Sequence, residues 1–217
     1  MKLVTMHDSK SCAARFVGSS PTSGTLKSYS QKEKMAYLIG LALGDGNLSN
    51  PNGRAVKLRI TCDKKYPKLI KRVIFLLQKL FPKNKIGLID RSDSCVDISC
   101  YSNKLEDLLG WKAKNGSKIK QKVSIPNWIK KDLNYAKTCL RGLIETDGSV
   151  YYDRNYLMIN FVTVIPTLAN DFSLLIKKLD FVCNTQVTQP KIGLPKYTIR
   201  VTRQAEEFVK LIGVDKK

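Results

Sequence analysis

Across 217 residues, 38 Lys and Arg stand against 18 Asp and Glu, a formal charge of +20, with 43% of side chains apolar. That apolar share can build a core, which excludes wholesale disorder, and the length suits one large domain or two small ones packed together. Self-repulsion at this charge points to a polyanionic partner; because the cations are spread over strands and loops, nucleic acid is favoured over a membrane surface.

Residues 1–30 are rich in Ser, Thr and Gly with little periodicity, and are expected to form an extended or disordered arm. Ser30 with Glu33 is a capping box that starts a helix, and Met35, Leu38, Ile39 and Ala42 continue at helical spacing to Gly44–Gly46. From 56 to 62 the chain alternates, with Val56, Leu58, Ile60 and Cys62 on one face and Lys57, Arg59 and Thr61 on the other. This is a half-buried strand with a cationic open face. An amphipathic helix over 66–81 stops at Pro82. A hairpin over 85–91 and 95–101 follows, then a short helix over 103–109 closed by Gly110.

Residues 112–131 carry seven lysines and no acid, and read as a solvated, phosphate-touching linker flanked by Trp111 and Trp128. The order then repeats. A helix is expected over 135–146, strands over 150–152 and 156–164, and a helix over 166–181. A hairpin over 185–191 and 196–202 and a last helix over 204–212, closed by Gly213, complete the chain. The expected division is 1–30 arm, 31–111 first half, 112–133 basic linker and 134–217 second half.

No run approaches the ~18 apolar residues of a membrane span, and the start lacks the apolar core of a signal peptide. No membrane association is therefore expected, and the protein should be intracellular, in cytoplasm, nucleoid or an organelle matrix. Six cysteines without a C-x-x-C pair, and the single histidine His7, argue against zinc and for reduced core thiols.

The most informative feature is a repeat. Leu38-Ile39-Gly40-Leu41-Ala42-Leu43-Gly44-Asp45-Gly46 returns as Leu140-Arg141-Gly142-Leu143-Ile144-Glu145-Thr146-Asp147-Gly148. Each copy is a small-and-apolar helical run ending in Asp-Gly, so two similar halves would present two carboxylates to one place. Gly40 and Gly44, like Gly142 and Thr146, lie four apart, and small residues at that spacing let two helices pack backbone to backbone. Asp45 and Asp147 would then end side by side at helix C-termini, where unpaired carbonyls favour a cation. Two converging carboxylates in a strongly basic protein point to metal-assisted chemistry on a polyanion.

The two motifs and their flanking elements resemble the LAGLIDADG homing endonucleases of the single-chain, two-motif type and their maturase relatives. The resemblance implies an α/β (α+β) protein of two pseudo-symmetric αββαββα halves, whose antiparallel sheets form a DNA-binding saddle. It implies a monomeric enzyme that makes a double-strand break at a long, non-palindromic DNA site, as in intron homing. Mg2+ would be the cofactor, with Mn2+ or Ca2+ as substitutes. The alternatives are an RNA-splicing maturase acting on intron RNA, or a DNA-binding protein that does not cut.

Carried onto this sequence, the resemblance assigns metal binding to Asp45, Asp147, Gly44 and Thr146, and catalysis to Asp45 and Asp147. Basic support would come from Lys65 (or Lys64) in the first half and from Lys120 (with Lys118 and Lys122 as alternatives) in the linker. Cys62 and Thr163 occupy the strand positions beneath the metal. Base and phosphate contacts fall to Lys57, Arg59, Thr61 and Arg91 in the first half. In the second they fall to Asn160, Gln186, Thr188, Thr198 and Arg200. The sixth motif position is Leu43 in one copy and Glu145 in the other.

Overall fold

A computed structural model describes residue 26 and residues 28–215. Most of the expected arm, with His7 and Cys12, lies outside the described residues. Its last residues are packed, contrary to expectation: Leu26 is fully buried, and the Tyr29 hydroxyl accepts from Arg141 Nη1 at 3.3 Å.

The first half runs α1 (Gln31–Asp45), β1 (Gly46–Ser49), β2 (Lys57–Asp63), α2 (Pro67–Leu80), β3 (Ile86–Asp90), β4 (Cys95–Tyr101) and α3 (Leu105–Leu109). A short helix α4 (Asn127–Lys131) leads into the second half. This comprises α5 (Leu133–Asp147), β5 (Gly148–Asp153), β6 (Tyr156–Thr163), α6 (Pro166–Lys178), β7 (Cys183–Thr188), β8 (Lys196–Val201) and α7 (Ala205–Ile212). Each half holds one four-stranded antiparallel sheet, ordered β1-β2-β4-β3 and β5-β6-β8-β7. These are the two expected αββαββα halves.

The capping box forms as read, with the Glu33 amide donating to Ser30 Oγ at 3.2 Å and the Ser30 amide donating to Glu33 Oε2 at 2.7 Å. Burial along β2 alternates strictly, with Leu58, Ile60 and Cys62 inward. Gly110 and Gly213 close α3 and α7 in the left-handed region, at φ 86° and 68°, where a Cβ would be strained. Strand β1 has only four residues and too little periodicity to be read by itself; it exists because β2 offers a free edge to it.

Helices α1 and α5 form the most extensive contact between any two elements. A Cβ on Gly40 would collide with the Cys139 carbonyl, and one on Gly142 would lie 2.6 Å from the Tyr37 carbonyl oxygen and 2.7 Å from the Leu41 amide. Gly44 faces the Thr146 side chain in the same way. The glycines are thus the contact, and the two backbones touch through them.

The lysine-rich stretch is not simply solvated. Val123, Ile125 and Ile129 are buried, as is Trp111, while Trp128 is partly exposed and meets Tyr135 edge-on at 5.3 Å. Asp171 of α6 ties this stretch to the second half by accepting from the Ile125 amide and from Lys130 Nζ, each at 2.8 Å. Isolated apolar residues among the lysines were the signal for it.

Candidate active site and nucleic-acid interface

Close packing of α1 on α5 brings the two motif ends together. Asp45 and Asp147 are both exposed, each the last residue of its helix. The Asp147 Oδ2 lies 3.4 Å from where a Cβ on Gly44 would stand. The missing side chain makes room for Thr146, and the carboxylate of the next residue, Asp147, is thereby carried to the end of α1.

Lys118 enters this place from the linker. Its ammonium donates to the carbonyls of Ala42 at 3.2 Å, Leu43 at 2.6 Å and Gly44 in the last turn of α1, where the Ala42 carbonyl also accepts from the Gly46 amide. Desolvation pulls its pKa below the usual lysine range, against the raising effects of Asp147 and then Asp45. One fixed positive charge thus sits near two carboxylates and a helix C-terminus.

The structure redistributes several expected roles. Among the linker lysines, Lys118 rather than Lys120 reaches the motif ends; Lys120 is exposed, and its amide only closes a turn on Ser117 Oγ. Lys65 is held at the surface by Asp63 at 2.9 Å and lies over the Tyr66 ring. The Gly44 carbonyl is taken by Lys118, and the Thr146 hydroxyl turns back onto its own helix, donating to Gly142 and Leu143 carbonyls at 2.9 and 3.1 Å. The Thr163 hydroxyl accepts from the Ile165 amide at 3.2 Å, supporting the turn into α6. Cys62 is buried beneath α1, where desolvation first, and then the charge of Asp45, pushes its thiol up to about 12.

Among the described residues no group of three or more His, Cys, Asp or Glu side chains is arranged to hold a metal. The donors still suit a hard divalent cation, because Asp45 and Asp147 end the two packed helices and both act on the Lys118 ammonium between them and the linker. Such an ion completes its shell with water and substrate phosphate rather than with an all-protein cage.

On the first sheet, Arg59 lies between Asn47 and Ser99 in the strand register, and Thr61 lies opposite Asp97. Thr61 donates to Asp97 Oδ1 at 2.7 Å, and Arg59 Nη1 is 3.7 Å from Asp97 Oδ2. Arg91 forks onto Asp93 at 3.0 and 2.6 Å. Lys57 rests over the Tyr101 ring at 5.7 Å.

On the second sheet the transverse row is Ser149, Asn160, Arg200 and Asn184. Asn160, read as exposed, is buried: it accepts from Arg200 Nε at 3.0 Å and donates to the Tyr151 hydroxyl at 3.1 Å. Gln186, Thr198 and Arg200 line one shallow polar crevice with Asn184, Thr185 and Thr202, and Thr188 is exposed beyond it.

Glu145 was the least expected participant. It is almost fully buried, and accepts from Arg72 Nη2 at 2.9 Å, Arg141 Nε at 3.0 Å and the Tyr37 hydroxyl. Burial, reinforced by the Glu145 charge, raises the Tyr37 pKa well above its ordinary value, so the phenol stays a donor. Its partners come from α1, α2 and α5, a convergence that no local sequence window contains.

The LAGLIDADG-like domain family matches residues 134–213. Among solved structures, a mesophilic variant of the homing endonuclease I-DmoI is 19% identical, covering 86% of this chain and 99% of that one at a TM-score of 0.62. I-DmoI in complex with DNA and Mn is 20% identical, covering 84% and 97% at 0.61. Full-length DUF199/WhiA from Thermatoga maritima is 15% identical, covering 86% of this chain and 57% of that one at 0.60. No curated protein matches significantly. Residues 134–213 thus match the LAGLIDADG-like domain, and the chain as a whole shares the two-halved fold of the I-DmoI structures.

Proposed function

We propose that this protein is a divalent-metal-dependent homing endonuclease that cuts both strands of a long, non-palindromic DNA site. The observation that carries the reading is that α1 and α5 end beside one another, so that Asp147 reaches the end of α1 and both carboxylates act on the Lys118 ammonium. Asp45 and Asp147 would hold the cation, which supplies an activated water and Lewis acidity at phosphorus. Mg2+ is the proposed metal; structures of the similar I-DmoI with DNA have been solved with Mg, Mn and Ca. Lys118, fixed at the same place, sets a positive charge against the charge that develops on the phosphate.

Each sheet would lie on one half-site as a single chain, with strand side chains in the major groove and surrounding lysines on phosphates. The halves differ in sequence, so the two half-sites need not be related by symmetry. Such an enzyme works where genomic DNA is, inside the cell. No described helix is long and apolar enough to cross a membrane.

Selection from a randomised duplex library in Mg2+, with the cut ends sequenced, tests the activity. Asp45→Asn and Asp147→Asn should each abolish double-strand cleavage while leaving duplex affinity unchanged or higher, since a negative charge near phosphate is removed. Normal cleavage by either variant overturns the site. Specific binding without any cutting, by the unaltered protein, leaves only a DNA-binding role for the fold.

A further inference from the structure

On the first sheet almost every cation of the polar face has an acid beside it. Arg59 and Arg91 flank Asp97, Arg91 is forked onto Asp93, Lys64 pairs with Asp90, and Lys65 with Asp63. Among the described residues, no ion pair involves the strands β5–β8 of the second sheet. Acids on a phosphate-facing surface weaken binding, so their placement needs a reason. Asp97 is the one that is buried, at 6% exposure.

We infer that Asp97 is a specificity-determining positioning residue, whose carboxylate holds Arg59 in the orientation that reads a base edge in the first half-site. This rests on the endonuclease reading above. Asp97 Oδ1 is occupied by the Thr61 hydroxyl at 2.7 Å and lies 3.7 Å from Arg91 Nη1, while Oδ2 faces Arg59 Nη1 at 3.7 Å. The carboxylate is therefore fixed from one side by a neutral donor and presents its second oxygen to the arginine. Arg59 Nε is buried without a hydrogen-bond partner, so the stem is enclosed while the tip remains half exposed.

A guanidinium held this way is pre-oriented for the paired acceptors of guanine, and its ordering cost is met before DNA arrives. The same carboxylate repels a phosphate or base acceptor that approaches out of register, which is discrimination by penalty. In the second sheet the arginine and its anchor exchange strands and the anchor is neutral: Asn160 on β6, at the position of Arg59, accepts through Oδ1 from Arg200 Nε on β8. That arginine is oriented without the penalty.

Asp97→Asn keeps the shape and removes the charge. The test is a binding and cleavage profile over all single-base variants of the selected target, with melting curves for each variant. Discrimination under the first sheet should fall from roughly tenfold or more per base pair to about threefold or less, and affinity for unrelated duplex should rise. Preference under the second sheet should not change. Thr61→Val, which frees the carboxylate to swing, should give the same loss at the same positions without the gain in non-specific affinity. An unchanged Asp97→Asn profile, or an even loss across both half-sites, overturns the inference while the endonuclease reading stands. If the unaltered protein selects no duplex, both fall together.

Discussion

Helices α2 and α6 are the same element in the two halves, and each begins with proline at its first position. Each also buries one charged residue at its sixth position, but the signs are opposite: Arg72 in α2 and Asp171 in α6. Arg72 holds Glu145 and the segment after the second half, reaching the Asp215 carbonyl at 3.2 Å and its carboxylate at 3.6 Å. Asp171 holds the segment after the first half through Ile125 and Lys130. Each half's long helix therefore straps down the chain that leaves the other half. The fold is duplicated, while the charges that lock it are private to each copy, because a core specifies shape and only paired partners specify sign.

Breaking the two straps should cost different amounts. Arg72→Met leaves Glu145 buried with fewer donors, and should lose about 3–5 kcal/mol of stability in denaturant titration. Asp171→Ala leaves one buried amide and one lysine without their acceptor, and should lose about 1–3 kcal/mol. Equal losses would mean that the straps are equivalent and that Glu145 adds nothing.

The helix interface should be nearly as sensitive. Gly40→Ala pushes a methyl into the Cys139 carbonyl, and the backbones must separate at a cost of about 1–3 kcal/mol. Gly53→Ala meets nothing within 4 Å but must adopt φ 70°, so its loss is backbone strain alone. Cleavage rate should drop for Gly40→Ala and not for Gly53→Ala once both are folded, because only the first moves Asp45 relative to Asp147.

Salt dependence sharpens the contrast between the sheets. Lys196 is exposed on β8, whereas Lys65 is paired with Asp63. If Lys196 touches a phosphate, Lys196→Ala should reduce the slope of log affinity against log salt by about 0.9. Lys65→Ala should reduce it by less than about half as much, since its charge is already partly neutralised. Equal slopes would erase the distinction.

The smallest effect concerns Cys62. Its thiol is pushed from 9.0 to about 12, so it should resist alkylation in the folded protein at pH 8 and react on unfolding. Between about pH 9 and 12 only the unfolded chain would release this proton, so stability should fall as pH rises through that window. Rapid labelling of Cys62 in the native state would show that the floor beneath Asp45 is open to solvent.

Local patterns carry most of the architecture. The capping box at Ser30, the alternation through Leu58 and Ile60, the proline starts of α2 and α6, and the glycine stops at Gly110 and Gly213 are all short-range signals. The doubled motif adds the one long-range fact that sequence can state, because a repeat with glycines at helix spacing says which two helices must touch. From it the backbone-to-backbone packing of α1 on α5 was legible in the sequence.

Side-chain partnership was not legible, for a physical reason. Lys118 and Lys120 are two positions apart in a run of similar residues, and only the path of the linker over α1 decides which amine meets the carbonyls of Ala42, Leu43 and Gly44. Asn160 looked like an exposed reader until Tyr151 and Arg200 covered it. Glu145 takes Arg72 and Tyr37, and Asp97 takes Thr61 and Arg59, from distant segments, so their roles exist only once the sheets and helices are assembled. Sequence by itself determined the two halves, their order and the helices that pack between them, because periodicity and glycine spacing are local properties of the chain. Tertiary structure alone decided which charges are buried and which distant ones are paired, because an ion pair between separate elements depends on distances that no window of sequence contains.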